Sequence, residues 1–261
     1  DEILDVVNHL PIPEEGQHDN ASVDSDIEPV DIFTGLIRAG QDLSRIGNDL
    51  LHEVAGITPT EEIEIGKQTH EMISSQKTVL EHGRSVDRLR QVAEPFVQNR
   101  DRGEPDVRFY VIEDDSVNAF AHLGGHVYVH SGLLDAIQSD DELAFVLGHE
   151  VAHVDLGHCA KSMTAAVRAE QIGGRAIGSL AAIAYHAIAL GYSESQEFDA
   201  DLWSYRRMRE LGYTHQRSLA GLRMLERECA DDEHIHAGPM GEIDKHLRSH
   251  PRISDRIAAV E

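Results

Sequence analysis

Two histidines four residues apart, with a glutamate beside the first, are the part of this 261-residue chain best suited to chemistry: His149-Glu150-Val151-Ala152-His153. On an α-helix, positions i and i+4 share a face about one turn apart, so both imidazoles can reach one ion. Glu150, next to the first histidine, can then act as general base toward an attacking water. The preceding residues, Asp141 to Leu147, favour helix and start with acids that suit the helix dipole. The motif is expected on a helix, where this chemistry needs it.

A catalytic zinc site of this kind wants three protein ligands and an open fourth position. An extension of the form H-E-x-x-H-x-x-G-x-x-H fails, because Leu156 and Cys159 stand where Gly and His would be needed. His158, five residues after His153, turns to a different helix face and is expected to be structural. The other source is a later helix. Glu197 lies 44 positions beyond His153, enough chain for a crossing helix and a return. Asp201, four residues on, shares the face of Glu197 and can accept a hydrogen bond from the free N–H of a ligand imidazole. Glu194 competes as ligand but lacks an Asp at i+4.

The elements that must hold these groups read as α+β, mostly helical, with a small sheet on a helical core. Residues 1–57 form an acidic N-terminal extension, with Pro11, Pro13, Gly16 and Pro29 punctuating an extended or disordered start and one amphipathic helix over Asp31 to Val54. The compact domain is expected from 58 to 261. Thr58 or Thr60 caps a helix that runs through Ile63 to Val79, and a second covers Val86 to Val97. Val107 to Ile112 reads as a strand, with shorter strands at Asn118-Ala119-Phe120 and Val127-Tyr128-Val129 joined by a turn at Gly124-Gly125. Ser131 to Ile137 is a short helix before the motif helix. Further helices are expected over Thr164 to Leu190, Glu194 to Leu211, His215 to Cys229 and Arg252 to Val260.

Composition narrows the partners. With 47 Asp+Glu against 23 Lys+Arg and a formal charge of -24, the chain would be repelled by nucleic acid and by anionic membrane. The most apolar run, Ala176 to Leu190, is short, Ala-rich and carries His186, which fits a buried or lid-forming helix better than a membrane span. Cys159 and Cys229 make no C-x-x-C pair; one bridge or two buried thiols both fit. An N-terminal Asp1 in place of Met is expected of a processed or truncated chain, and a removed signal or anchor stays open. A periplasmic or extracytoplasmic location is favoured, with a cytoplasmic one also open.

Several motifs in order carry a resemblance: Asn118-Ala119-Phe120, Gly124-Gly125-His126-Val127, Ser131-Gly132-Leu133, Glu142-Leu143-Ala144, the motif at 149–153, Glu197-x-x-Ala200-Asp201, and His250-Pro251 with Arg256. Over roughly 60 to 261 the chain resembles gluzincin zinc metallopeptidases of the HtpX-like and CAAX prenyl protease-like group, in its soluble bacterial-type branch. The resemblance implies one zinc held by His149, His153 and Glu197, Glu150 as base, and Asp201 orienting His149. It implies that Asn118, Gly124, Gly125, His126 and Val127 bind substrate, the Gly-Gly-x-Val stretch being an edge strand that pairs with extended peptide. His250 and Arg256 would stabilise the oxyanion. His250 has a second reading, as a plug on the open zinc position. Where many relatives carry Arg this chain has Glu194, and the paired membrane segments of other branches are absent.

The expected function is therefore a zinc-dependent endopeptidase acting on proteins or peptides in extended form, with protein quality control as a setting. The rival is a zinc-containing chaperone or peptide-binding module with little turnover, which would have no need of Glu150.

Overall fold

The computed structural model describes residues 57–163, 184, 192–232 and 253–260. The expected extension helix at 31–54, nearly all of the apolar run at 176–190, and His250 lie outside them.

Helix α1 (Pro59–Gln76) starts at Thr58, whose hydroxyl accepts from the Glu61 N–H while the Glu61 carboxylate accepts from the Thr58 N–H at 2.8 Å, a reciprocal cap. Strand β1 (Val79–Leu80) and helix α2 (Arg84–Gln98) follow. Then come β2 (Arg108–Ile112), β3 (Ala119–His122), a 3-10 turn (Leu123–Gly125) and β4 (His126–His130). After α3 (Ser131–Ala136), the motif helix is α4 (Asp140–Asp155). The chain re-enters helix at 158–163, and continues as α5 (Glu194–Glu210), α6 (His215–Ser218), α7 (Ala220–Asp232) and α8 (Ile253–Val260). The helix expected over His215 to Cys229 breaks at Leu219.

The four strands form one mixed sheet in the order β1-β2-β4-β3, with β4 parallel to β2 and antiparallel to β3. This corrects the sequence reading of Gly124 to Val127 as a substrate-binding edge: β4 is hydrogen-bonded on both sides, and its outer neighbour β3 is the edge among the described residues. Gly124 and Gly125 have a different task. Both adopt positive φ (78° and 75°) in the tight turn from β3 to β4, and a Cβ on Gly125 would collide with the Asp106 carbonyl.

One sheet face, with Phe109, Val111, Ala121, Val127 and Val129, packs into the main core with Val86, Leu89 and Phe96 of α2 and Phe145 and Leu147 of α4. The other face carries Tyr110, Phe120 and Tyr128 against Ile73 of α1. Alternation of apolar residues with rings along β4 puts each set on its own face. Helix α4 runs through the middle and is buried at every position from Glu142 to Asp155. No helix among the described residues is long and apolar enough to cross a membrane.

Candidate active site

Helix α4 is set in place at three points. Ser139 caps its start, accepting from the Glu142 N–H, and Asp140, Asp141 and Glu142 fill its first turn. At Gly148 the neighbouring helices come so close that a Cβ would strike Ser204 of α5 and the Phe96 ring of α2. Ser204 donates to the Phe145 carbonyl at 2.9 Å across this contact. At the far end Asp155 accepts from the Arg102 N–H (2.7 Å), the Asp101 N–H (3.2 Å) and the Trp203 indole (3.1 Å), tying α4 to the loop after α2 and to α5. The helix that carries the histidines therefore has little freedom to slide.

On this frame His149, His153 and Glu197 converge. Their ligand atoms all lie within 4.8 Å of one another, and all three residues are buried. His149 Nε2 and His153 Nε2 are 3.0 Å apart, and the Glu197 oxygens stand 3.4 Å from the first and 3.5 Å from the second. Glu194, one helical turn earlier on α5, is exposed. The Ser193–Gln196 capping box turns α5 so that Glu197 and Asp201 both face α4.

The two imidazoles are held differently. Asp201 Oδ1 lies 2.9 Å from His149 Nδ1, and the same carboxylate takes a two-bond fork from Arg256 of α8, both at 2.7 Å. A further Arg256 nitrogen is 3.6 Å from Glu197. Burial raises and Arg256 and His149 lower the Asp201 carboxyl, which ends below its ordinary value. Burial would depress His149, but Asp201 and Glu197 offset that and push the imidazole up to about 10. His153 Nδ1 instead meets His158 Nδ1 at 3.0 Å, and the Tyr192 ring stacks on it at 3.7 Å and 13°. His158 itself is pushed down to about 3 by burial and nearby Lys161.

Glu150 is pushed up to about 7, chiefly by burial and by the Glu197 charge, against the pull of His149, the Ala121 backbone and Arg256. Ala121 belongs to the sheet edge. His130 N–H donates to the Asn118 carbonyl at 2.9 Å, and with Ala119 opposite Val129 this leaves the backbone groups of Ala119 and Ala121 pointing away from β4. The outward Ala121 carbonyl accepts from the Tyr192 hydroxyl at 2.7 Å.

The residues singled out from sequence are thus placed as follows. His149, Glu150, His153, Glu197 and Asp201 are brought together. Arg256 is 5% exposed and spends its fork on Asp201, so it stands behind His149. Asn118 precedes the edge strand, while His126 and Val127 lie on the interior strand, His126 stacked against His122 and Tyr110 on the face under α1. Cys159 carries a free thiol. Sequence reasoning missed Tyr192 and gave His158 no part at the site. The i+5 spacing hid His158, because it assumes one unbroken helix: the chain turns at 156–157, with Gly157 at φ 64°, and swings His158 back onto His153. Tyr192 carried no signal of its own.

Residues 84–261 match peptidase family M48. The chain belongs to that family. It is 35% identical over 175 residues to metalloprotease LoiP of Escherichia coli (strain K12), covering 62% of this chain and 66% of LoiP. It is 31% identical over 209 residues to metalloprotease YcaL of the same strain, covering 72% of this chain and 76% of YcaL. A beta-barrel assembly-enhancing protease of Yersinia pestis is 29% identical over 139 residues, 51% of this chain but only 29% of that protein. The crystal structure of S. mikatae Ste24p is a more distant likeness, with a TM-score of 0.45 at 14% identity over 89% of this chain and 63% of that one. The chain spans less than two thirds of the length of several of these relatives. M48 is a family of metallopeptidases, and among the described residues the group at His149, His153 and Glu197 is where the structure can hold a metal.

Proposed function

We propose that the metal is zinc and that the chain is an endopeptidase cutting proteins bound in extended form. The observation that carries this is the donor set: two imidazole nitrogens and a carboxylate, spaced 3.0, 3.4 and 3.5 Å apart. Ligands roughly 2.1 Å from a tetrahedral ion lie about 3.4 Å from each other, so the three donors match three corners of such a site. Zinc held there would polarise the scissile carbonyl and acidify water.

The remaining work belongs to the chain. Glu150 takes a proton from the attacking water and delivers it to the leaving amine. The Glu150 carboxylate feels the Ala121 backbone of the sheet edge, beside where an extended peptide would lie. Asp201, backed by Arg256, fixes the plane and tautomer of His149; Arg256 acts on the reaction through Asp201 as a positioning residue. His158 does the same for the free nitrogen of His153. Substrate backbone pairs with the outward edge of β3 at Ala119, in place of the Gly124–Val127 stretch that lies inside the sheet. The two named metalloprotease relatives agree with this reading, and protein quality control is its proposed setting.

Metal analysis of the purified chain tests it. One zinc per chain is expected, lost in Glu197→Ala and kept in Glu194→Ala. Zinc retained by Glu197→Ala and lost by Glu194→Ala would remove the site.

A further inference from the structure

Three groups define the orientation of His149: the metal position, Asp201 and, through it, Arg256. The outer nitrogen of His153 meets another imidazole, His158, at 3.0 Å. Contacts at the two ring nitrogens lie in the plane of the imidazole and put nothing against its faces. What faces the plane is Tyr192, nearly parallel at 13° with ring centroids 3.7 Å apart.

Tyr192 is itself fixed at both ends. Its hydroxyl donates to the outward carbonyl of Ala121 on β3 at 2.7 Å. Its backbone runs into Ser193, the N-cap of α5, whose capping partner Gln196 also donates to the His158 carbonyl at 3.1 Å and contacts Ser162.

We infer that Tyr192 is a positioning residue for the metal site, its packed ring holding the plane of the His153 imidazole. The inference rests on the metal site proposed above. An aromatic pair of this sort contributes about 0.5–1.5 kcal/mol, or about 2- to 12-fold in an equilibrium constant. Losing the ring should therefore weaken zinc binding by about 3- to 10-fold. Losing only the hydroxyl should cost less than about twofold, because the packed ring keeps its place.

The test compares Tyr192→Phe, Tyr192→Leu and Tyr192→Met in the full chain. Zinc affinity is measured by chelator competition, and cobalt(II) put in place of zinc gives a visible spectrum that reports ligand geometry. Wild type and Tyr192→Phe should share affinity and spectrum; Tyr192→Leu and Tyr192→Met, which fill space without a ring face, should bind more weakly with an altered spectrum. A residue that merely fills space would lower the melting temperature of the metal-free chain in these variants and leave affinity and spectrum alone. That outcome, in whichever of the two ringless variants folds, overturns the inference; if neither folds while Tyr192→Phe does, the ring is a core element and the inference also falls. A wild-type chain that takes up neither metal would instead refute the metal site itself.

Discussion

Replacing Asp201 with Asn leaves shape unchanged and removes one charge where two elements meet. Asp201 is fully buried, with Arg256 on both oxygens at 2.7 Å and His149 Nδ1 2.9 Å from one of them. An amide in that place with its oxygen at Oδ1 still accepts from Arg256 Nη2 and faces His149 Nδ1, while its NH2 opposes Arg256 Nε. Breaking a buried ion pair costs about 3–5 kcal/mol, and the retained oxygen argues for the low end. About 3 kcal/mol corresponds to a fall of about 6–12 °C in the melting temperature of the metal-free chain. The metal should feel a separate loss of about 10- to 100-fold in zinc affinity, since a neutral amide holds His149 more weakly than the carboxylate does. Chelator competition should be run at pH 7 and at pH 8.5. The carboxylates that orient His149 also keep it protonated in the metal-free chain, and zinc must displace that proton. The loss should therefore look larger at the higher pH, where wild type sheds the proton more readily. Affinities within threefold of wild type at both pH values, with the melting temperature lowered, would make Asp201 a partner of Arg256 alone.

Gly148→Ala should destabilise the chain by about 1–3 kcal/mol, because its Cβ has to displace Ser204 and the Phe96 ring; an unchanged thermal melt would refute the close approach of α4 and α5. His122 and His126 are buried under α1 and pushed down to about 3 and about 2, burial being the main cause in each. A group whose folded pKa is depressed keeps its full contribution above the unfolded value near 6.5 and loses it as pH falls toward the folded one, by up to roughly 1.4 kcal/mol per pH unit per imidazole. Stability from denaturant melts should thus decline between pH 6.5 and 5, before most carboxylates titrate, and less steeply in His126→Phe; equal slopes would refute the assignment. Saturating zinc should raise the melting temperature of wild type, by about 2.7 kcal/mol of stability at a hundredfold excess over Kd, and should not do so for His153→Ala.

The sequence carried the candidate site further than it carried the sheet. His149, Glu150 and His153 are legible because helix periodicity alone puts i and i+4 on one face, and Glu197 with Asp201 repeats that logic on α5. Strand order has no such local signature. The alternation His126-Val127-Tyr128-Val129-His130 says that two faces differ, yet both edges of a strand use the same backbone groups, so nothing in it distinguished an interior strand from an edge. Arg256 was found by motif but aimed wrongly for the same kind of reason: its partner Asp201 is 55 residues away, and only the packing of α8 on α5 shows that the guanidinium faces a carboxylate. Tyr192 acts through its ring face and hydroxyl, two contacts that any buried tyrosine could make. Its role depends on where α5 begins relative to β3.

Hydrolysis by zinc-loaded chain, compared between wild type and Glu150→Gln at equal zinc content, addresses the central claim most directly. Glu150 is buried on the same helix as His149 and His153, and the substitution keeps its size and an acceptor oxygen while removing the base. Casein or a broad peptide set should be cut by wild type, and cut about 10²- to 10⁴-fold more slowly by the variant. Equal rates in the two proteins, or no cleavage by wild type with one zinc bound, would contradict a metallopeptidase that works through Glu150.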